Sequence, residues 1–395
     1  MISEKMSALA RNNSVIRAMF EEGKLLAAKY GSANVYDFSL GNPNFPPPES
    51  VKNAIIGVLS DTSAANIHGY MPNAGFPEVR AAVADALNAR HGTEYASKNL
   101  VMSVGAAGGL NVALKTLLNP GDEVIAVAPY FVEYGNYVRN YDGSLVVVPA
   151  RAGDFQADAA AIGAAVTART KAVIINSPNN PTGVVYTEST IREIADVLRA
   201  KSEKSGSPVY IISDEPYREL AYGGVRVPWI SKYYADTIVC YSWSKSLSLP
   251  GERIGYLAVS DECADSAQIL EAAAIATRVL GFVNAPSLIQ LAVARVLGEE
   301  PNLSGYAENR ELLYGGLTKL GYECVYPEGA FYLWVKAPGG DDRAFAEAAK
   351  KYNILLVPGT SFAGPGYARL AYCVAKETIE RALPAFAKLA EELRL

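Results

Sequence analysis

Short apolar runs alternate with segments of helical length between residues 99 and about 260. The runs are rich in Val, Ile and Leu, and they lack the polar alternation of strands with one exposed face. Continuous apolar strands that are joined by helices are typical of a mostly parallel sheet covered on both faces. The predicted strands cover residues 100–102, 123–127, 144–148, 172–175, 209–212, 237–240 and 255–259. The pattern predicts an α/β protein whose large domain has three layers around a mostly parallel seven-stranded sheet.

The flanking regions follow other patterns. Residues 38–48 contain one glycine and four prolines, which predicts an irregular crossing segment. The predicted helices here cover residues 14–28, 77–90, 287–297 and 305–320, and strand-like stretches cover 322–335 and 368–374. The pattern after about residue 285 therefore predicts a smaller α+β domain, and we expect the N-terminal residues to form part of the surface of this domain.

Polar clusters follow the ends of five predicted strands. They cover residues 103–109, 129–131, 176–183, 213–217 and 242–245. In sheets of this kind ligands bind beyond the carboxyl ends of the strands. We therefore expect these clusters to converge on one crevice.

The segment from residue 242 to 256 is the most informative part of the chain. It places Ser242, Ser244, Lys245 and Arg253 in a turn that also contains glycine. A lysine amine can condense with an aldehyde to form a Schiff base, and serines with an arginine can bind a phosphate dianion. The segment therefore indicates a site for an aldehyde cofactor that carries a phosphate. A lone lysine is more often a solvated surface charge, so this interpretation depends on the rest of the chain.

Gly105, Ala106 and Ala107 open a predicted helix directly after a strand. Small residues at a helix N-terminus let a phosphate approach free backbone N–H groups and the positive end of the helix dipole. The alternative is plain packing of the helix against the sheet.

Asp214 ends an apolar strand, where a carboxylate is costly unless it is paired. It could form a salt bridge to a protonated pyridine nitrogen, or it could cap the following turn. Asn180 and Tyr217 could both hydrogen-bond a phenolic oxygen on the same ring. Phe131 offers a flat face for stacking, although an aromatic residue here could also belong to the core.

Arg369 is a cation inside an apolar strand and needs a partner. A substrate α-carboxylate that is held bidentately would serve, and so would a carboxylate of the protein itself.

Composition narrows the class of protein further. The 395 residues carry a net charge of −5, which argues against nucleic acid as a partner. The four cysteines have no paired spacing and the two histidines lie far apart, so neither a disulfide framework nor a metal site is expected. The N-terminus lacks the apolar region of a signal peptide, and no window reaches the ~20 apolar residues of a membrane span. We therefore expect a cytoplasmic protein without a membrane partner.

Taken together, the motifs resemble the fold type I pyridoxal 5′-phosphate (PLP) enzymes, specifically the class I/II aminotransferases related to aspartate aminotransferase. The resemblance runs from the Leu-Gly-Asn-Pro of residues 40–43 to Arg369. It is carried by Ser-x-Ser-Lys with Arg253 eight positions after Lys245, by Asn-Pro-Thr-Gly at 180–183 and by Asp-x-x-Tyr at 214–217. It implies a large PLP-binding domain over 51–285 and a small C-terminal α+β domain over 286–395. Residues 1–50 would contribute to the small domain and to dimer contacts.

The resemblance also implies a role for each site residue. Lys245 would carry the cofactor as a Schiff base and then act as the acid/base that moves the substrate proton. Asp214 would hold the pyridine nitrogen, Asn180 and Tyr217 the ring hydroxyl, and Phe131 the ring face. The phosphate would be bound by Gly105, Ala106, Ala107, Ser242, Ser244 and Arg253.

Substrate and partner follow from the same resemblance. Arg369, Asn180 and the backbone of Gly41 would receive the α-carboxylate of the substrate. Tyr70 would reach the phosphate in the neighbouring subunit's site, which implies a homodimer with shared active sites.

The expected reaction transfers an amino group from an L-amino acid to a 2-oxo acid by double displacement. The first expectation is a donor of the aspartate or glutamate type, with aromatic or neutral amino acids as the alternative. Some relatives place a lysine near the position of Ala107 to bind a distal carboxylate, and this chain has none there. Arg278 or the Asn12–Asn13 pair could supply that contact.

Three other functions fit parts of the pattern. A C–S β-lyase would use the same cofactor chemistry. A regulator-type aminotransferase-like module would need a DNA-binding domain, for which we expect no room before residue 14. Ser242-x-x-Lys245 also fits the Ser-x-x-Lys motif of penicillin-interacting serine enzymes, but their companion motifs are absent from the sequence.

Overall fold

The described part of the chain, residues 2–11 and 15–395 of a computed structural model, forms thirteen strands and fifteen α-helices. The strands are β1 Tyr36–Asp37, β2 Leu100–Ser103, β3 Glu123–Ala128, β4 Ser144–Pro149, β5 Thr170–Asn176, β6 Tyr210–Asp214, β7 Thr237–Ser242, β8 Gly255–Val259, β9 Cys324–Val325, β10 Tyr332–Lys336, β11 Ile354–Leu355, β12 Val357–Pro358 and β13 Tyr367–Ala371. The helices are α1 Glu4–Arg11, α2 Val15–Tyr30, α3 Glu49–Asp61, α4 Ala64–His68, α5 Pro77–His91, α6 Gly105–Leu117, α7 Tyr134–Asn140, α8 Ala159–Ala165, α9 Glu188–Ser205, α10 Trp243–Ser246, α11 Ser266–Val279, α12 Ser287–Val293, α13 Leu303–Lys319, α14 Asp342–Lys350 and α15 Lys376–Leu393.

Strands β2 to β8 form the central sheet in the order β2-β8-β7-β6-β5-β3-β4. Only β8 runs antiparallel to its neighbours β7 and β2 in this sheet. The predicted seven-stranded, mostly parallel sheet is therefore confirmed. Each predicted apolar run coincides with one of its strands, except that Val209 precedes the first residue of β6.

Helices cover both faces of this sheet. Val124 packs in a cluster with Leu110 of α6 and Ile269 of α11, whereas the next residue, Ile125, packs with Ile194 of α9. Because successive residues of a strand point to opposite faces, both faces of β3 are buried. This burial explains the continuous apolar sequence of β3, and the helices on both faces give the predicted three layers.

A second, smaller group of elements follows in the chain. Strands β12, β13, β10 and β9 form an antiparallel sheet, and β1 pairs with β11. Helices α13, α14 and α15 cover them through a core that includes Tyr306, Phe345 and Phe386. Tyr217 from the end of the central sheet also belongs to this core. The division of the chain into domains at residues 50 and 285 stays a prediction. Helix α12, which follows residue 285, packs with α3 in a cluster that contains Val51 and Val293.

No helix in the described part of the chain combines the length and the apolar character that crossing a membrane requires.

Candidate active site

A cavity of about 280 Å³ lies where three parallel strands end. Asn176, Asp214 and Ser242, the last residues of β5, β6 and β7, line it. Tyr332 and Arg369 from the smaller sheet complete the wall. The cavity thus lies between the two groups of elements, at the crevice where the strand-end clusters were expected to meet.

Most of the predicted site residues line this cavity. They are Gly41, Ala106, Ala107, Phe131, Asn180, Asp214, Tyr217, Ser242, Ser244, Lys245, Arg253 and Arg369. Gly105 opens α6 directly beside it. Tyr70 does not line the cavity, and its residue surface is 94% exposed.

Lys245 lies in the short helix α10, which Ser242 caps by accepting a hydrogen bond from the Ser244 backbone N–H at 3.1 Å. Its Nζ donates to the carbonyl oxygen of Gly41 at 2.6 Å. Burial lowers the pKa of Lys245 to about 8. The neutral amine, which is the nucleophilic and basic form, is therefore accessible near neutral pH.

Asp214 is buried at the end of β6. Its Oδ2 accepts a hydrogen bond from the Tyr134 hydroxyl at 2.5 Å, whereas Oδ1 is buried without a partner among the described residues. Burial raises the pKa of Asp214 to about 7, and the Tyr134 hydrogen bond opposes this shift. A buried carboxylate with one unsatisfied oxygen fits a cationic N–H donor such as a protonated ring nitrogen.

A chain of amides links Asp214 to Tyr217. The Asn176 amide donates to the Asp214 carbonyl oxygen at 2.9 Å and accepts from the backbone N–H of Asn180 at 2.8 Å. The Asn180 side chain lies 3.5 Å from the Tyr217 hydroxyl, which lies 2.9 Å from the Tyr332 hydroxyl. These contacts fix two hydrogen-bonding side chains, Asn180 and Tyr217, on one side of the cavity.

Donors for an anion meet at the start of α6. Gly105 has φ +76°, and a Cβ at this position would lie 2.7 Å from Nη2 of Arg253. The Arg253 guanidinium donates to the carbonyl oxygens of Pro250 and Val104 at 3.0 and 3.1 Å, which holds it over this turn. The hydroxyls of Ser242 and Ser244 lie 2.6 Å apart beside it. A helix N-terminus, two hydroxyls and a guanidinium are suited to a phosphate dianion.

Arg369 on β13 is 2% exposed. Its guanidinium donates to Oδ1 of Asn180 at 3.0 Å and to the carbonyl oxygen of Ser39 at 2.6 Å. Its Nε is buried and has no hydrogen-bond partner in the part of the chain that the structure describes. No described carboxylate forms an ion pair with Arg369. Of the two partners expected for this cation, a carboxylate of the protein itself is therefore not observed. The remaining N–H donors suit a carboxylate ligand.

Three residues of the site were not selected from the sequence: Tyr134, Asn176 and Tyr332. Asn176 belongs to the polar cluster 176–183 at the end of a predicted strand, so the sequence indicates that it lies near the site. Tyr134 and Tyr332 carry no local signal, because their sequence neighbours do not distinguish a tyrosine of a site from one of the core. Arg278 is exposed on α11 and does not line the cavity, and Asn12–Asn13 lie outside the described residues.

Comparison with known proteins defines the class. Residues 33–386 match the family model of aminotransferase class I and II. A probable aspartate/prephenate aminotransferase of Thermus aquaticus is 34% identical over 364 residues, which cover 88% of this chain and 89% of the relative. The crystal structure of an aminotransferase from Eubacterium rectale is 46% identical, with a TM-score of 0.97 and 100% of both chains covered. That of the Thermus thermophilus aspartate aminotransferase with maleate is 29% identical, with a TM-score of 0.87 and 98% and 99% covered.

The fold and the site thus define an α/β enzyme of amino-group transfer. The chain belongs to the class I and II aminotransferases. Enzymes of this family generally depend on PLP.

Proposed function

We propose that the protein is a PLP-dependent aminotransferase in which Lys245 is the catalytic base. One observation carries the proposal: Lys245 and Asp214 line the same cavity, and Oδ1 of Asp214 is buried without a hydrogen-bond partner among the described residues. An amine with a lowered pKa can attach to an aldehyde, and a buried carboxylate can neutralise a ring cation.

The residues present fit the cofactor. Asp214 would pair with the ring nitrogen, Asn180 and Tyr217 would hold the ring hydroxyl, and Phe131 would stack on the ring. The phosphate would be bound by Gly105, Ala106, Ala107, Ser242, Ser244 and Arg253. When bound, PLP supplies an electron sink for the electron pair that remains on the substrate when its Cα proton leaves.

The chain's own groups then orient the substrate and move its proton. Arg369 binds the α-carboxylate, and Asn180 holds the guanidinium in place at 3.0 Å. Lys245 Nζ takes the proton from the substrate Cα. A positioned base of this kind contributes about 10²–10⁴-fold to the rate. The carbonyl oxygen of Gly41, 2.6 Å from Nζ, keeps the amine at the cavity wall.

The amino donor that we propose first is of the aspartate or glutamate type, with a 2-oxo acid as acceptor and double-displacement kinetics. The Thermus aquaticus relative is named as a probable aspartate/prephenate aminotransferase, which supports an acidic donor. The structure of the Thermus thermophilus aspartate aminotransferase with maleate, a dicarboxylate, also supports it. An aromatic or neutral donor is the second candidate. It is favoured because the described residues that line the cavity offer no cation beyond Lys245, Arg253 and Arg369.

We also propose a homodimer, in which Tyr70 reaches the phosphate site of the neighbouring subunit. The 94% exposure of Tyr70 supports this, because a large aromatic side chain is left uncovered. A cytoplasmic location is proposed as well, since all four cysteines are free.

The test of the function is chemical. Purified protein incubated with PLP should become yellow, and borohydride should fix the cofactor on Lys245, as mapped by mass spectrometry. A panel of amino donors with 2-oxoglutarate, run beside cystathionine, separates transamination from C–S lyase activity. An adduct on another lysine, or protein that remains colourless with PLP, would refute the proposal.

A further inference from the structure

Tyr332 on β10 is a buried residue of the cavity wall that touches three groups of the proposed site. Its residue surface is 2% exposed. It comes from the small sheet, whereas most of the cofactor-facing residues come from the ends of the central strands. Its contacts therefore join the two halves of the site.

The first contact is with Tyr217. The two hydroxyl oxygens lie 2.9 Å apart, and the only other hydrogen-bond partner of the Tyr217 hydroxyl among the described residues is the Asn180 amide at 3.5 Å. Each phenol has one hydrogen to donate, and the amide nitrogen of Asn180 is itself a donor. If Tyr332 donates to Tyr217, the hydrogen of Tyr217 is left to point into the cavity.

The second contact is with Arg369. The guanidinium carbon lies 4.5 Å from the centroid of the Tyr332 ring and 4.7 Å from that of Phe362. A buried guanidinium between two aromatic faces gains cation–π attraction and loses rotamer freedom. The ring of Tyr332, as distinct from its hydroxyl, thus helps to fix the cation that is proposed to bind the α-carboxylate.

The third contact is with Gly41. A Cβ at residue 41 would lie 2.1 Å from the Tyr332 hydroxyl, so the close approach requires glycine. The carbonyl oxygen of the same residue accepts the hydrogen bond from Lys245. Tyr332 therefore also packs against the backbone that holds the proposed base.

We propose that Tyr332 is a positioning residue with two separable actions: its hydroxyl orients the Tyr217 hydrogen toward the ring oxygen of the cofactor, and its ring holds Arg369 for the substrate carboxylate. This assignment rests on the proposed function. It concerns how two residues of the site are held, and it assigns no chemical step to Tyr332 itself.

Two variants separate these actions in the PLP-loaded enzyme. Tyr332→Phe removes the hydroxyl and keeps the ring, whereas Tyr332→Leu removes both. Tyr322→Phe is the matched control, because Tyr322 is a buried tyrosine of the same core whose hydroxyl donates to the backbone of Phe386 at 3.0 Å, away from the cavity. The readouts are the pH titration of the cofactor's visible absorption, the Kd of maleate and the steady-state kcat and KM.

For Tyr332→Phe we expect kcat to fall about 3- to 10-fold, the scale of one lost hydrogen bond. The pKa of the visible absorption should rise, because Tyr217 becomes a weaker donor to the ring oxygen. The Kd of maleate should stay within about 2-fold, since the cation–π contact remains. Tyr332→Leu should in addition weaken maleate binding about 5-fold or more. Tyr322→Phe should behave as wild type in all three readouts.

A Tyr332→Phe enzyme with wild-type titration and kcat would overturn the role of the hydroxyl, and wild-type maleate affinity in Tyr332→Leu would overturn the role of the ring. Equal losses in both variants and in Tyr322→Phe would indicate general damage to the core and would also overturn the proposal. Should Tyr332→Leu not fold, as judged by thermal melting, Tyr332→Phe still decides the first action. Wild-type protein that never acquires visible absorption with PLP would instead refute the proposed function.

Discussion

Tyr134 donates its hydroxyl hydrogen to Oδ2 of Asp214 at 2.5 Å in the core beneath the cavity. The bond occupies one carboxylate oxygen, whereas the other, Oδ1, accepts no hydrogen bond from any described residue. It also favours the ionised form of a carboxyl group whose pKa burial raises. Tyr134 therefore helps to keep Asp214 charged, which the proposed pairing with a ring cation requires.

Tyr134→Phe should weaken retention of PLP about 10-fold, because a hydrogen bond to a charged group is lost. The pKa of Asp214 should rise further, so activity should be lost at a higher pH than in wild type as the solution is acidified. Dialysis against buffer and the pH profile of kcat/KM measure the two effects. Tyr141→Phe serves as the control, since that hydroxyl bonds Asn111 at 3.0 Å and does not line the cavity. An unchanged acidic limb in Tyr134→Phe would contradict the role.

Asp214→Asn should stabilise the cofactor-free protein while it abolishes activity. The pKa of Asp214 is about 7 in the folded state, above its ordinary value of 3.8, so the folded protein binds the proton more tightly than the unfolded chain. The contribution of Asp214 to the free energy of unfolding therefore falls as the pH rises from 3.8 to 7, and the penalty is complete above 7.

We expect Asp214→Asn to raise the free energy of unfolding by about 1–3 kcal/mol at pH 8 and by much less near pH 4. Urea unfolding of cofactor-free protein at both pH values measures this difference. Transamination should fall about 100-fold or more, because the ring cation loses its counter-charge. A variant that is less stable than wild type at pH 8 would show that the carboxylate is not a buried, unfavourable charge.

Uptake of PLP by the cofactor-free protein should depend on the ionisation of Lys245. The neutral amine attacks the aldehyde, and burial lowers the pKa of this amine to about 8. The rate of uptake should therefore rise with pH with a midpoint near pH 8, and stopped-flow absorbance measures it. A midpoint near that of a solvated lysine, about 10.4, would contradict the burial effect. Lys245→Ala should bind PLP without forming a borohydride-stable adduct and should not turn over.

Gly105→Ala should damage the proposed phosphate site more than the fold. The new Cβ would lie 2.7 Å from Nη2 of Arg253, and φ is +76°. Gly121→Ala is a matched control, because Gly121 has φ +88° and no atom of residues 2–11 or 15–395 lies within 4 Å of an added Cβ, its own chain neighbours aside. Both variants should lose about 1 kcal/mol of stability to backbone strain. Only Gly105→Ala should also bind PLP more weakly, by about 10-fold, as equilibrium titration would reveal. Equal affinities in the two variants would separate Gly105 from the phosphate.

The periodicity of the sequence was sufficient for the central sheet. Strands buried on both faces are apolar throughout, so most of the central strands can be predicted without knowledge of their partners. The exception is the edge strand β4, which is apolar in sequence but only partly buried. The two-residue strands β11 and β12 cannot be predicted from the sequence in this way. They exist because β1 and β13 offer backbone partners at Ile354 and Val357, which local sequence does not encode.

Local sequence patterns predict the seven central strands, the polar clusters at their ends and the cluster around Lys245, because each depends on residues near one another in the chain. Which of these groups meet depends on how the chain folds. Lys245 and Gly41 are 204 residues apart, and Tyr134 and Asp214 are 80 apart, yet each pair shares a hydrogen bond. Burial and hydrogen bonding act through space, so the lowered pKa of Lys245 and the hydrogen bond between Tyr134 and Asp214 arise only in the folded chain.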